Sequence, residues 1–202
     1  GSSSQIIPGT TLLPFSPTND WNIKLPNSKE LKITIDRLVC QLVENHKNFS
    51  NTVLVGLQPR GKYLCEKIVN ALKFDYNIEN ANNGLLDITF YRDDFRRSEK
   101  ILKASKTDFN LSVENKNVVF IDDVLFTGRT IRAALTAIES FGRPKSVELL
   151  ILIDRRFSRE LPIQPDYKGI QVDVYKNQKV LIEWGDDVMG DYVYIISTQD
   201  HE

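Results

Sequence analysis

Strand-like and helix-like apolar patterns alternate along this chain. That alternation predicts an α/β fold: a mainly parallel, twisted sheet flanked by helices, with a flexible hood or lid. Three observations carry the prediction. Short β-branched apolar runs such as Thr52 to Leu57 have the near-continuous hydrophobicity of strands buried on both faces. Longer stretches between them repeat apolar residues at helical spacing. One long segment, residues 92–116, is polar and charged with no apolar period. So long a structureless loop is uncommon inside a compact domain and suits a lid or hairpin.

Residues 1–28 read as an N-terminal arm and residues 29–202 as the folded domain. The arm carries Pro8, Pro14, Pro17 and Pro26 among many Ser, Thr and Asn, and Gly1-Ser2-Ser3-Ser4 has the character of an expression scar. Its apolar residues, among them Ile6, Leu12, Phe15 and Trp21, suit packing on the body or on a partner chain. A helix is predicted after Asn27, where Asn27 and Glu30 form a loose capping box and Leu31, Ile35, Leu38, Val39 and Leu42 follow at helical spacing. Thr52 to Leu57 is the first strand, and residues 61–73 form a helix through Leu64, Ile68 and Leu72. Leu85 to Tyr91 is a second strand. Val118 to Ile121 is a strand and 129–141 a helix. Gly142 then stands where a helix C′ residue belongs, with Pro144 just beyond. Val147 to Ile153 is a further strand, and 180–184 and 192–197 are two late ones.

The composition narrows the function. The chain has 202 residues, 41% hydrophobic and 26% charged, which suits one globular domain with an arm. Its net charge of -1 supplies no global attraction to nucleic acid or membrane. The two cysteines, Cys40 and Cys65, sit in apolar periodic segments and are expected as buried thiols. There is no CxxC pair and no histidine cluster of the kind that holds zinc. No apolar run approaches the ~20 residues of a membrane span. With no secretory leader in view, a cytoplasmic location is expected.

The chemistry concentrates in Val118-Val119-Phe120-Ile121-Asp122-Asp123-Val124-Leu125-Phe126-Thr127-Gly128-Arg129-Thr130. An apolar strand runs into two adjacent carboxylates, then a glycine-containing loop, then a helix. Backbone N–H groups at a helix N-terminus lack intrahelical partners, and the macrodipole there favours an anion. Gly128 permits close approach of the backbone, and Thr127 and Thr130 add hydroxyl donors. This is a phosphate cradle, although no GxxxxGK[ST] loop occurs anywhere. Asp122 and Asp123 cannot bind phosphate but can accept hydrogen bonds from a ribose diol, as the acidic residue does in dinucleotide folds. The combination describes a phosphorylated pentose.

That string resembles the phosphoribosyl pyrophosphate (PRPP) signature of type I phosphoribosyltransferases. Further segments resemble one family within that superfamily, the PyrR family of pyrimidine operon regulators that are also uracil phosphoribosyltransferases. They are Gly56-Leu57-Gln58-Pro59-Arg60-Gly61, Asp87-Ile88-Thr89-Phe90-Tyr91-Arg92-Asp93-Asp94, Phe141-Gly142-Arg143-Pro144, and Leu152-Ile153-Asp154-Arg155-Arg156 with Arg159-Glu160-Leu161-Pro162-Ile163. The resemblance covers about residues 30–182, in order.

It implies a type I phosphoribosyltransferase fold converting uracil and PRPP to UMP and pyrophosphate. Asp122, Asp123 and Arg60 would be catalytic, the acids holding ribose hydroxyls and Arg60 the leaving pyrophosphate. The PRPP or nucleotide would lie along Pro59, Arg60 and the run Asp122, Asp123, Val124, Leu125, Phe126, Thr127, Gly128, Arg129 and Thr130. Tyr91, Arg92, Asp93, Asp94, Arg96 and Arg97 would belong to the hood, whose cations, with Lys100, could reach pyrophosphate on closure. Backbone groups of Ile153, Asp154 and Arg155 would read the base. Arg155 and Arg156 could equally face solvent. Mg2+ is implied, held through substrate oxygens and water rather than by a protein cage. The superfamily's pyrophosphate loop predicts a cis bond at Gln58-Pro59. A homodimer or higher homo-oligomer is also implied.

Phe126 bears on the base. Purine members of the superfamily commonly carry an acid here, and the PyrR family a tyrosine, so the aromatic ring favours a pyrimidine. Two alternatives stay open: a nucleotide-sensing, RNA-binding regulator acting on an mRNA leader, and transfer to another base. For RNA, Lys29, Lys32 and Arg37 share a helix with Glu30 and Asp36, while Glu183, Asp186, Asp187 and Asp191 oppose a basic surface.

Overall fold

In a computed structural model the described residues are 25–88, 111–185 and 190–197. Among these residues three α-helices, α1 (Ser28–His46), α2 (Gly61–Tyr76) and α3 (Arg129–Ile138), accompany seven strands. These are β1 (Thr52–Gln58), β2 (Asn82–Asp87), β3 (Asn117–Leu125), β4 (Ser146–Arg155), β5 (Tyr167–Val172), β6 (Gln178–Glu183) and β7 (Tyr192–Ser197). The first five form one sheet in the order β2-β1-β3-β4-β5. Every pairing in that sheet is parallel. Strands β6 and β7 make a separate antiparallel hairpin.

Local chemistry fixes the helix ends. The Asn27 side chain accepts the Glu30 N–H at 2.8 Å, as the capping box requires. α2 ends at Asn77, which takes the left-handed conformation (φ 53°) that asparagine tolerates better than most residues. Beyond it the Ile78 N–H reaches the Leu72 carbonyl at 2.9 Å. α3 stops at Ile138. The last three residues expected in it, Glu139–Phe141, tighten into a 3-10 turn before Gly142 (φ 125°).

Side-chain alternation in the strands builds two cores. Leu54, Val119, Ile121, Leu150 and Leu152 face Leu31, Leu38 and Leu42 of α1 and Leu64, Ile68 and Leu72 of α2. On the other face Val53, Val55, Val118, Phe120 and Ile151 meet Ile131, Ala134 and Ala137 of α3. The β6–β7 hairpin joins the first core through Val180, Ile182 and Val193. At the amino ends of the strands, buried His46 hydrogen-bonds Thr52 Oγ1 at 2.8 Å and Glu148 Oε2 at 2.9 Å. The Tyr167 hydroxyl donates to the same carboxylate at 2.7 Å, so α1, β1, β4 and β5 are fastened together there.

Several expectations need correction. The second strand is Asn82–Asp87, because its pairing with β1 starts at Asn82, a polar edge that apolar pattern misses. The segment 92–116 is not polar throughout in its role. Val113 is fully buried and its N–H donates to the Phe141 carbonyl at 2.9 Å, so 111–116 belongs to the body. Residues 89–110, most of the expected hood, lie outside the described residues, as does the arm up to residue 24. Strand β5 went unforeseen, since Lys168, Gly169 and Gln171 interrupt its apolar pattern at the sheet edge. Cys65 is buried as expected, and burial pushes its thiol up to about 12. Cys40 is exposed: it lies on the outer side of α1, between the buried Val39 and Leu42 positions.

Candidate active site

In a sheet of order 2-1-3-4-5 the chain leaves β1 and β3 in opposite directions. α2, which follows β1, covers one face, and α3, which follows β3, covers the other. A crevice therefore opens between the carboxyl ends of β1 and β3, the place where open α/β sheets bind ligands. Pairing of β3 with β1 ends at Ile121–Gly56, whereas pairing with β4 continues to Leu125–Asp154. Asp122 and Asp123 are the first residues of β3 past the end of that β1 pairing.

Both acids are buried, at 8% and 3% exposure. Asp122 Oδ1 accepts the Asp123 N–H at 2.9 Å, and Asp123 Oδ1 accepts the Val124 N–H at 2.8 Å. Arg60 sits at the turn between β1 and α2, after a Gln58-Pro59 bond that is cis, as expected. Its Nε donates to Asp123 Oδ2 at 2.9 Å and its Nη2 to the Ile182 carbonyl of β6 at 2.8 Å. The guanidinium is thus aimed from two sides while its side chain stays nearly half exposed. Burial, and secondarily the Asp123 charge, hold the Asp122 carboxyl well above the usual carboxylate range, with Arg60 opposing.

The loop after β3 turns at Gly128, whose φ of 92° a side chain rarely adopts, and Gly128 caps α3. Thr127 Oγ1 accepts the Arg129 N–H at 3.2 Å. A cleft of about 280 Å³ runs from Asp122 and Val124 along the loop to Ile131, with Glu160 at its margin. The helix N-terminus and Asp122 therefore share one concavity, with Asp123 turned instead toward Arg60. Phe126 is 37% exposed, and its ring lies on the Arg155 guanidinium at 3.8 Å.

Ile153, Asp154 and Arg155 lie within β4, all three paired with β5 and the first two also with β3. They support the cleft from behind and do not line it. Of the two arginines left open, Arg155 is buried, donating to the Tyr175 carbonyl at 3.1 Å, and burial lowers its pKa. Arg156 is exposed and paired with Asp173 at 2.9 Å through Nε. By resemblance the segment Arg159-Glu160-Leu161-Pro162-Ile163 belongs to a base-binding region, but the contacts that Arg159 and Glu160 make are not legible in the sequence. Arg159 donates to Asp154 Oδ1 at 2.7 Å and to the Phe126 carbonyl at 2.9 Å, and Arg129 Nε pairs with Glu160 Oε2 at 2.7 Å. Periodicity carries no signal for such contacts between two loops. Tyr91, Arg92, Asp93, Asp94, Arg96, Arg97 and Lys100 lie outside the described residues.

Residues 24–187 match the phosphoribosyl transferase domain model. The chain is 41% identical over 160 residues to the Bifunctional protein PyrR of Picosynechococcus sp., covering 79% of this chain and 89% of that protein. It is 39% identical over 153 residues to the one from Enterococcus faecalis, covering 76% and 84%. Among solved structures, a hypoxanthine phosphoribosyltransferase from Staphylococcus aureus superposes with a TM-score of 0.58 at 21% identity, covering 80% of this chain and 81% of that one. The hypoxanthine phosphoribosyl transferase of Trypanosoma cruzi gives 0.59 at 18% identity, covering 76% and 79%. At that identity the structural likeness is one of fold.

Proposed function

We propose, from the premise that this chain belongs to the phosphoribosyl transferase domain family and within it to the PyrR family, that it converts uracil and PRPP to UMP and pyrophosphate. One observation carries the reading most. Buried Asp122, first of an adjacent acid pair, and a glycine-turned helix N-terminus share a cleft in which the loop position after Leu125 carries an aromatic ring, Phe126, while the one further carboxylate of the lining, Glu160, is paired with Arg129.

The residues divide the substrate between them. The loop Thr127–Thr130 takes the 5′-phosphate through backbone N–H groups and threonine hydroxyls. Asp122 and Asp123 accept hydrogen bonds from the ribose hydroxyls. Pro59 and Arg60 meet the leaving pyrophosphate, Arg60 supplying a planar fork of donors matched to phosphate oxygens. The base rests by Phe126, with Ile153, Asp154 and Arg155 behind it. As the bond to pyrophosphate breaks, negative charge grows on the leaving group and positive charge on the anomeric carbon. Catalysis is then mostly positioning and stabilisation of these charges.

Mg2+ fits this site as an ion carried in by the substrate. Among the described residues no three His, Cys, Asp or Glu side chains gather into a cage, while two carboxylates stand side by side. An ion with most ligands from substrate oxygens and water matches that donor set, with Asp122 and Asp123 nearest to hold it. When bound it would neutralise charge on the pyrophosphate.

The reading is tested by following UMP formation from uracil, PRPP and Mg2+. Saturable, uracil-dependent turnover is expected; absence of UMP with active controls overturns it. A second activity, RNA-binding regulation, draws support from relatives named bifunctional. The cations of α1 lend it little, since Lys32 is paired with Asp36 and Arg37 donates to the carbonyls of Lys168 and Gly169. Filter binding to a pyrimidine leader RNA across salt concentrations decides it. Binding no better than to scrambled RNA removes that activity and leaves the enzyme.

A further inference from the structure

The loop proposed to hold the 5′-phosphate is supported from below by a second loop, residues 156–163, and one buried ion pair organises that support. Asp154 is the penultimate residue of β4, and its side chain is 2% exposed. It receives Arg159 Nη2 at 2.7 Å, and the Arg159 side chain is itself only 10% exposed. The other end of the same guanidinium, Nη1, donates to the carbonyl of Phe126 at 2.9 Å. Next along the chain, the N–H groups of Glu160 and Leu161 both donate to the Thr127 carbonyl, at 2.9 and 3.1 Å. Gly128 is packed so closely that a Cβ there would lie 3.3 Å from Ile163 and 3.4 Å from Leu161.

Three successive residues of the cradle, Phe126 to Gly128, are therefore held by the segment that starts at Arg159. The two carbonyls are turned down toward this segment. Peptide planarity then fixes the following N–H groups, those of Thr127 and Gly128, in the opposite direction. A planar guanidinium suits this task, because its rigid fork spans a carboxylate and a carbonyl at once. Burying the pair costs desolvation, and Arg159 Nε is buried with no hydrogen-bond partner among the described residues. An ion pair kept at that cost beside a ligand loop is better explained by geometry it enforces than by stability.

We infer that Arg159, oriented by Asp154, is a positioning residue for the 5′-phosphate loop and does not read the base. The inference rests on the proposed phosphoribosyl site. Arg159→Met removes both hydrogen bonds but strands a buried carboxylate, which threatens folding. The double variant Asp154→Leu with Arg159→Met removes both charges, an exchange that is often neutral or stabilising. Arg159→Lys keeps the charge without the fork.

The experiment measures calorimetric binding of ribose 5-phosphate to the full chain, and separately the KM for uracil at saturating PRPP, on variants whose melts show cooperative folding. The account expects ribose 5-phosphate affinity to fall about tenfold in the double variant and less in Arg159→Lys, with the uracil KM of Arg159→Lys, which leaves Asp154 in place, within about twofold of wild type. Unchanged ribose 5-phosphate affinity in the folded double variant overturns the inference and leaves the proposed function intact. A raised uracil KM at unchanged ribose 5-phosphate affinity also overturns it, making Arg159 a base reader. Wild-type protein that binds no ribose 5-phosphate sinks the phosphoribosyl site and the inference together.

Discussion

Asp122 is nearly sealed from solvent, lies beside a second carboxylate, and is held well above the usual carboxylate range by burial first and the Asp123 charge second. Its folded-state pKa is raised, so its contribution to stability is full below the unfolded value near 4 and is lost as pH rises through the folded value. Asp122→Asn should then stabilise the unliganded protein at pH 7 by about 1–2 kcal/mol, a few degrees in Tm, while lowering phosphoribosyl transfer at least tenfold. Melts at pH 7 and pH 4 check this: the gain should shrink at the lower pH, and a gain equal at both would contradict the assigned cause. Phe126 offers a second residue-scale test. Its ring is fixed on the Arg155 guanidinium, a contact of about 1 kcal/mol that orients it along the cleft wall. Phe126→Ala should raise the uracil KM about tenfold, and Phe126→Tyr should leave it near wild type, as steady-state kinetics would show. The acids and Phe126 were legible in the sequence because they follow one another along one strand end. The contacts of Arg159 were not, because they tie the end of β4, at Asp154, to the loop after β3, at Phe126.

Elements bring these residues together through a close approach of α2 to β3. A Cβ on Gly61 would lie 2.4 Å from the Ile121 carbonyl, immediately before Asp122. Helix propensity alone says that Gly61→Ala gains up to about 1 kcal/mol. The clash is with backbone in the middle of the sheet, which cannot give way cheaply, and overpacking costs about 1–3 kcal/mol. The clash should win: Gly61→Ala is expected to lower the urea midpoint and to reduce activity more than stability alone explains, because α2 carries Arg60 with it. A variant as stable and active as wild type would show that the approach is relaxed in solution. The strands buried on both faces, β1, β3 and β4, were readable from continuous apolar runs. β5 was not, for it is an edge strand whose place is set by Tyr167 reaching Glu148, a contact between residues distant in sequence.

For the molecule as a whole, strand order decides where chemistry can occur. The alternation of strand and helix in the sequence predicts a parallel sheet, but not the order 2-1-3-4-5 that places Arg60 and the acid pair on opposite lips of one crevice. The late strands were expected, yet the hairpin's service to the site, the Ile182 carbonyl that steadies Arg60, appears only once the chain is folded. The central claim is that this crevice transfers a phosphoribosyl group to a pyrimidine. A competition in one vessel tests it most directly: equal concentrations of uracil, hypoxanthine and guanine, limiting PRPP and excess Mg2+, with the nucleotide products separated by chromatography. The account predicts UMP in at least about a hundredfold excess over both purine nucleotides, a discrimination of ~3 kcal/mol in transition-state free energy. IMP or GMP as the main product, or no nucleotide at all, would contradict it.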